Sequence, residues 1–198
     1  MKNNEYYMRE ALKEAVKAFE SDEVPVGAII THKGEIIGRA HNQIKTLKDP
    51  TAHAEIIAIT QAANSLQNER LTGCVMYSTL EPCSMCAGAM VLSRLENLVY
   101  AAKDPKTGAH DSVFRILNNK KLNHRVKVKS GILKQEASSL IKEFFHAKRL
   151  RRGLTLRMGG GINPLGFHQE SRERFKTVPY NAGFQSNISQ AKACGYRL

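Results

Sequence analysis

One split cluster constrains this chain more than any other feature. His53-Ala54-Glu55 is followed, after a gap of 26 residues, by Pro82-Cys83-Ser84-Met85-Cys86. Together the two halves supply one imidazole, two thiols and a carboxylate beside a ligand. Three such ligands on one metal require two distant segments to meet. Zinc favours this N/S set, and three protein ligands with a fourth position open to water mark a catalytic zinc, whereas structural zincs close with four. The expectation is hydrolytic chemistry. The Cys-x-x-Cys spacing puts both sulfurs on one side of a helix's first turn, where unpaired amides and the helix dipole favour thiolates. Pro82 suits the end of a preceding strand. With a neutral His53 and two thiolates, a Zn²⁺ centre is formally neutral before water binds, and its water loses a proton near pH ~7. Glu55 sits two positions after His53, off that residue's helix face. It is therefore expected to reach the water and the substrate as a proton carrier. Read alone, His-x-Glu is equally an exposed carboxylate at a helix start, and Cys83/Cys86 a redox pair or half of a structural zinc site. Their co-occurrence, with no second Cys-x-x-Cys in the chain, favours the catalytic zinc. Cys74 reads as a small buried hydrophobe and Cys194 as a free thiol.

The periodic segments place this cluster. Met8, Leu12, Ala15, Val16 and Phe19 recur at helical spacing in a first helix from about Glu5 to Phe19. Val24–Ile30 and Glu35–Ala40 flank His32-Lys33-Gly34 as a β-hairpin with glycine at the turn. Asp49-Pro50-Thr51 is a turn leading into a helix from His53 to about Ser65. Cys74–Leu80 is a buried strand, followed by a helix over about Ser84–Ser93. Leu98–Ala102 and Val126–Lys129 are two more strands, and a last helix spans about Lys134–Leu150. The order α-β-β-α-β-α-β-α-β-α implies an α/β protein, a mixed sheet covered on both faces by helices.

The 198 residues suit one ordinary domain with an appendage. A net charge of +12 points to a polyanionic partner, nucleic acid first. From Arg151 onward the periodicity stops. Seven of the 14 glycines, eight Lys/Arg and only two Asp/Glu lie there, so half of the charge sits in this extension. The expected division is a domain over residues 1–150 and a basic, Gly-rich, poorly ordered extension over 151–198, with an RNA-gripping tail as the alternative. Gly159-Gly160-Gly161 is no phosphate loop, since no strand precedes it and no Gly-Lys-Ser/Thr follows. No stretch approaches the ~20 apolar residues of a membrane span. With no secretory leader read at the start and no disulfide framework, a reducing cytoplasm is expected.

His-x-Glu followed by Pro-Cys-x-x-Cys resembles the signature of zinc-dependent nucleoside and base deaminases. The likeness to bacterial tRNA adenosine deaminases extends over about residues 4–150. It includes Glu23–Ala28, Asn42, Asp49–Glu55, Thr79–Cys83, Cys86–Met90, Asp104-x-Lys106-Thr107-Gly108-Ala109, Asn123–Val126 and the Phe144-Phe145 pair. The extension matches no family. The resemblance implies a three-layer α/β/α deaminase fold with a mixed five-stranded sheet. It implies one zinc per subunit on His53, Cys83 and Cys86, with Glu55 as the catalytic proton shuttle. Conversion of the wobble adenosine of a tRNA to inosine follows, by zinc-hydroxide attack at C6. The arginine tRNA with an ACG anticodon is the expected substrate, gripped by a homodimer. Asn42 would hydrogen-bond the flipped adenine, Val26 and Ala54 would line the base pocket, Asp104 and Lys106 would hold neighbouring nucleotides, and Phe145 would pack near them.

The residues themselves leave some of this open. Asn42 offers both donor and acceptor to an adenine edge, yet also suits a turn after a strand. Asp104–Gly108 reads equally as an ordinary turn. Phe144 is expected in the core and Phe145 nearer the site. Lys148, Arg149, Arg151 and Arg152 form either a solvated helix end or a phosphate contact. Deaminases of free cytidine, deoxycytidylate or guanine carry the same zinc motif, and a silent RNA-binding subunit could keep the fold. The basic balance and the Asp104–Ala109 segment favour RNA, and the presence of Glu55 favours turnover.

Overall fold

A computed structural model describes residues 3–158, with only the backbone given for 152–158. Helix α1, Asn4–Glu20, is capped by Asn3, whose side chain accepts the Tyr6 N–H at 2.9 Å. Strands β1 (Gly27–His32) and β2 (Glu35–His41) form an antiparallel hairpin. Its turn holds Lys33 and Gly34 at φ 51° and 84°, the left-handed pair of a tight hairpin turn. A short helix α2 (Ile44–Leu47) precedes α3 (Ala54–Leu66). Then come β3 (Cys74–Leu80), α4 (Ser84–Leu92), β4 (Asn97–Ala102), β5 (Lys127–Ser130) and α5 (Lys134–Met158).

The sheet order is β2-β1-β3-β4-β5. β1 pairs antiparallel with β2 and β3, while β3, β4 and β5 run parallel. The larger core lies between one sheet face and helices α3 and α4, joining Ile30, Met76, Leu98 and Tyr100 to Ala58, Ala62, Ala87 and Met90. The opposite face meets α1 and the start of α5 through Tyr7, Met8, Ala11 and Ala137. This is the expected three-layer arrangement. Small side chains set its spacing: a Cβ on Gly38 would lie 2.6 Å from the Ala58 carbonyl oxygen, so glycine there lets α3 lie directly on β2. The buried stripe of α1 is Met8, Ala11, Ala15, Ala18 and Phe19 with Tyr7, while the expected Leu12 and Val16 are only half-buried at its margin.

Three local expectations change. The helix implied between β4 and β5 is not there. Residues 103–126 form an extended loop, organised by a buried carboxylate described below. Helix α2 is instead an additional element, and its first turn is capped from a distance: Glu23 Oε1 accepts the N–H groups of Lys45 and Thr46, each at 2.8 Å. Third, α5 does not stop at Leu150 but continues to Met158. Arg, Leu and Met are good helix formers, and no proline occurs until Pro164. A compact unit covers residues 1–153. The basic Gly-rich extension expected beyond the helix lies, from residue 159, outside the described residues. Among the described residues no helix is long and apolar enough to cross a membrane.

Candidate metal centre and active site

Two helix N-termini meet at the ends of β2 and β3. His53 is the N-cap of α3 and Cys83 the N-cap of α4, both with extended backbone and neither spending its side chain on its own cap. Those side chains turn toward each other, and Cys86, in the first turn of α4, completes a triangle. Cys83 Sγ, Cys86 Sγ and His53 Nδ1 are each 3.6 Å from the other two. A tetrahedral zinc with Zn–S of about 2.3 Å and Zn–N of about 2.0–2.1 Å needs edges of about 3.8 Å between sulfurs and about 3.6 Å from sulfur to nitrogen. The triangle fits that face to within about 0.2 Å, the tolerance expected of a genuine metal site. Among the described residues this is the one group of three or more His, Cys, Asp or Glu side chains placed to hold a metal.

The electrostatics fit a cation as well. The hydrogen bond from Cys86, with His53 beside it, draws the Cys83 thiol down to about 4. The same bond, together with burial and the Glu55 charge, drives Cys86 strongly upward. Two sulfurs this close carry one negative charge readily and two only with a cation between them. His53 is raised, chiefly by its bond to Cys83.

Glu55, only 3% exposed, stands beside this triangle. Its Oε2 is 3.7 Å from Cys86 Sγ, and its Oε1 accepts the Ser78 hydroxyl at 3.3 Å. Burial pushes its pKa up. The spacing argument that kept it off the metal agrees with its place outside the three-residue group.

Asn42, buried after β2, accepts the Ala54 N–H through Oδ1 at 2.9 Å. That bond caps α3, which His53 leaves uncapped, and it identifies Oδ1 as the acceptor and Nδ2 as the donor of the amide. Val26 and Ala54 are buried in the same core cluster as Cys86, and the Val26 carbonyl accepts the Asn42 N–H at 3.1 Å. Asp104 spends its carboxylate on its own turn, accepting the Lys106 N–H at 2.9 Å and the Thr107 hydroxyl at 2.5 Å, whereas Lys106 is exposed. Phe144 is buried against Phe19, as expected, and Phe145 is 43% exposed beside it. No measured contact joins Phe145 to the triangle. At the basic end of α5, Lys148 and Arg151 both reach the Asp22 carboxylate, Arg151 at 3.5 Å. A cavity of about 350 Å³, lined by Asn4, Tyr77, Lys127 and Lys129 among others, shares no residue with the triangle.

The family model of MafB19-like deaminases matches residues 2–149. The chain belongs to this deaminase family. It is therefore a hydrolase that removes an amino group. Among curated relatives, the tRNA-specific adenosine deaminase of Aquifex aeolicus is 53% identical over 150 residues, covering 76% of this chain and 97% of that protein. The tRNA-specific adenosine deaminase of Bacillus subtilis is 45% identical over 152 residues, covering 77% and 94%. A solved structure from studies of A-to-I editing by tRNA:A34 deaminases at the wobble position superposes with a TM-score of 0.66 at 43% identity, covering 68% of this chain and 98% of that one. A guanine deaminase from Nitrosomonas europaea shares the fold at a TM-score of 0.64 and 24% identity, covering 73% and 85%.

Sequence reasoning passed over two polar residues of this deaminase site. Ser78 and Thr79 are adjacent small hydroxyl residues inside a mostly apolar strand, both fully buried, and that irregularity is their signal. Ser78 Oγ lies 2.8 Å from the Leu80 carbonyl and 3.3 Å from Glu55 Oε1, so its single proton is shared between the strand and Glu55. Glu81, quoted only as part of a motif, is 1% exposed and accepts five hydrogen bonds from the loop after β4. Burial alone would raise its pKa; the N–H of Asp111, the Ser112 hydroxyl and the other donors outweigh burial and hold it below the ordinary range.

Proposed function

We propose that this deaminase converts the wobble adenosine of a tRNA anticodon to inosine, with the arginine tRNA carrying an ACG anticodon as its substrate. The observation that carries the reading is the 3.6 Å triangle of His53, Cys83 and Cys86 with the buried Glu55 carboxylate against it. The names of the relatives, the net charge of +12 and the exposed Lys106 support RNA as the substrate. The choice of arginine tRNA and the homodimer rest on the resemblance alone, and the cytoplasm on the cysteine usage read from the sequence. A sedimentation mass of two chains is the expected outcome for the dimer.

The residues divide the work. Zinc held by His53 Nδ1, Cys83 Sγ and Cys86 Sγ would supply a Lewis acid that makes water a nucleophile at neutral pH. Anticodon-loop bases are already partly unstacked, so extruding one costs less than flipping it from a duplex. Asn42 Nδ2 donates to the purine edge and fixes the base, with Val26 and Ala54 as the apolar wall. Water adds at C6; Glu55 Oε2 carries its first proton to N1, then takes the second proton from the resulting C6 hydroxyl and passes it to the amino nitrogen as the C6 carbonyl forms. The C6–N bond breaks and ammonia leaves. Ser78 contacts Oε1, while Oε2 is the oxygen on the side of Cys86 and the triangle, where this transfer occurs. Asp104 shapes the turn that presents Lys106 to phosphate, and Phe145 offers an exposed ring to a flanking base.

The test is inosine formation in an arginine-tRNA anticodon stem-loop, with free adenosine, cytidine and guanine as controls and Glu55→Ala beside the wild type. Inosine in the stem-loop alone, lost in the variant, is expected. Turnover of a free base or nucleoside without the stem-loop overturns the RNA reading, and activity surviving in the variant overturns the role of Glu55.

A further inference from the structure

We propose that Glu81 is a positioning residue for RNA: it locks the loop carrying Lys106 onto the turn that carries the metal ligands. This inference rests on the RNA reading above and adds to it how the loop is placed. Glu81 directly precedes Pro82-Cys83, and its carboxylate faces into residues 104–112. Oε1 accepts three successive N–H groups, His110 at 3.1 Å, Asp111 at 2.9 Å and Ser112 at 3.1 Å. Oε2 accepts the Asp104 N–H at 3.1 Å and the Ser112 hydroxyl. Such a run of convergent amides is an anion nest. Here the anion is the protein's own side chain, so phosphate is left to the loop's cations. Residues 103–126 hold six Lys/Arg against two Asp.

Neighbouring contacts tie the loop to the same turn. The Ala109 N–H donates to the Pro82 carbonyl at 2.9 Å, and Gly108 pairs with Cys83 as an isolated bridge. A Cβ on Gly108 would lie 2.5 Å from the Glu81 carboxyl carbon and 2.6 Å from the Asp104 carbonyl oxygen. Glycine is required there because the loop closes directly over the carboxylate. Glu81 does not reach the metal triangle or Glu55 by any measured contact, so it acts through the loop. Losing it should loosen the grip on RNA while the reacting groups keep their places.

The experiment compares Glu81→Gln, Gly108→Ala and the milder Ser112→Ala with the wild type as zinc-loaded full chains. It reads metal stoichiometry, amide exchange over residues 104–112, and kcat and KM on the anticodon stem-loop. Glu81→Gln is expected to keep its metal, to exchange rapidly at His110–Ser112, and to raise KM by about tenfold or more with kcat within about threefold. Gly108→Ala should give the same signature, and the double variant should be no worse than the poorer single one, since both changes break one contact. Ser112→Ala, which removes one donor of five, should show a weaker form and serves if the others do not fold. Unchanged exchange, a fall in kcat at constant KM, or additive effects overturn the inference. A wild type inactive on the stem-loop instead overturns the RNA reading, while the exchange data still report on Glu81.

Discussion

Glu55 and Glu81 are both almost fully buried, both lie within two residues of a metal-ligand position, and they behave in opposite ways. Glu55 accepts the Ser78 hydroxyl at 3.3 Å and the Cys86 thiol at 3.7 Å, with its own backbone N–H beside it, and burial outweighs them so that its pKa rises. Glu81, closer to solvent in its surroundings, receives four backbone amides and a hydroxyl, which outweigh burial and lower its pKa. Low surface exposure alone does not decide what a carboxylate does; depth of burial and the donors supplied to it decide together. An under-solvated carboxylate is ready to exchange a proton. A fully solvated one is a fixed charge that organises backbone. One turn, Glu81 to Cys83, joins the triangle to the loop.

The largest expected effect comes from the metal. Chelation of the zinc, or Cys86→Ala, should abolish turnover while amides 110–112 stay protected from exchange. Loss of that protection on chelation would break the division into two regions. Next, Glu55→Gln should lower kcat by about 10²–10⁴-fold with metal content unchanged, the range expected of a general acid–base group. Third, the two carboxylates should differ in thermal unfolding of the zinc-loaded protein. Glu81→Gln leaves buried amides facing an amide and should cost about 2 kcal/mol or more. Glu55→Gln removes a poorly solvated charge and should cost little or nothing.

Glu14 on α1 sharpens the comparison, because its partners are cations rather than backbone dipoles. Burial pushes it up, yet His41, Lys17 and Arg39 outweigh burial and hold it near 2, against an ordinary 4.5. A depressed carboxylate contributes stability that is complete above its unfolded pKa of 4.5 and is lost as the pH falls through 2. Glu14→Gln should therefore lower neutral-pH stability by about 2 kcal/mol, with the variant and wild-type denaturation curves converging near pH ~2. The smallest effect is expected at Lys106. Its replacement by alanine should raise KM several-fold and reduce the salt slope of RNA binding by about one, with kcat unchanged.

The metal triangle was legible in the sequence because helix starts are local features. Pro82 before Cys-x-x-Cys and Asp49-Pro50-Thr51 before His53 mark where α4 and α3 begin, and the ligands sit on those first turns. The strand Cys74–Leu80 was legible for the same reason, as a short apolar run between turn signals. The loop after β4 was not. Its order comes from Glu81, more than twenty residues earlier, and no pattern within residues 103–126 announces that carboxylate. The implied helix there fails because the amides that would build its turns converge on Glu81. Likewise, Asn42 is known to cap α3 only once the end of β2 lies beside Ala54, and α2 is capped only by a Glu23 brought over from the end of α1.

The chain's local chemistry thus determined which atoms could hold a metal, which carboxylate could carry a proton, and the alternation of helices and strands around them. Periodicity, capping and ligand spacing all act within a few residues. The tertiary structure alone decided that Glu55 is starved of donors while Glu81 is saturated. Desolvation and hydrogen bonding depend on which distant backbone groups arrive at a side chain, and only the folded arrangement of strands and loops delivers them.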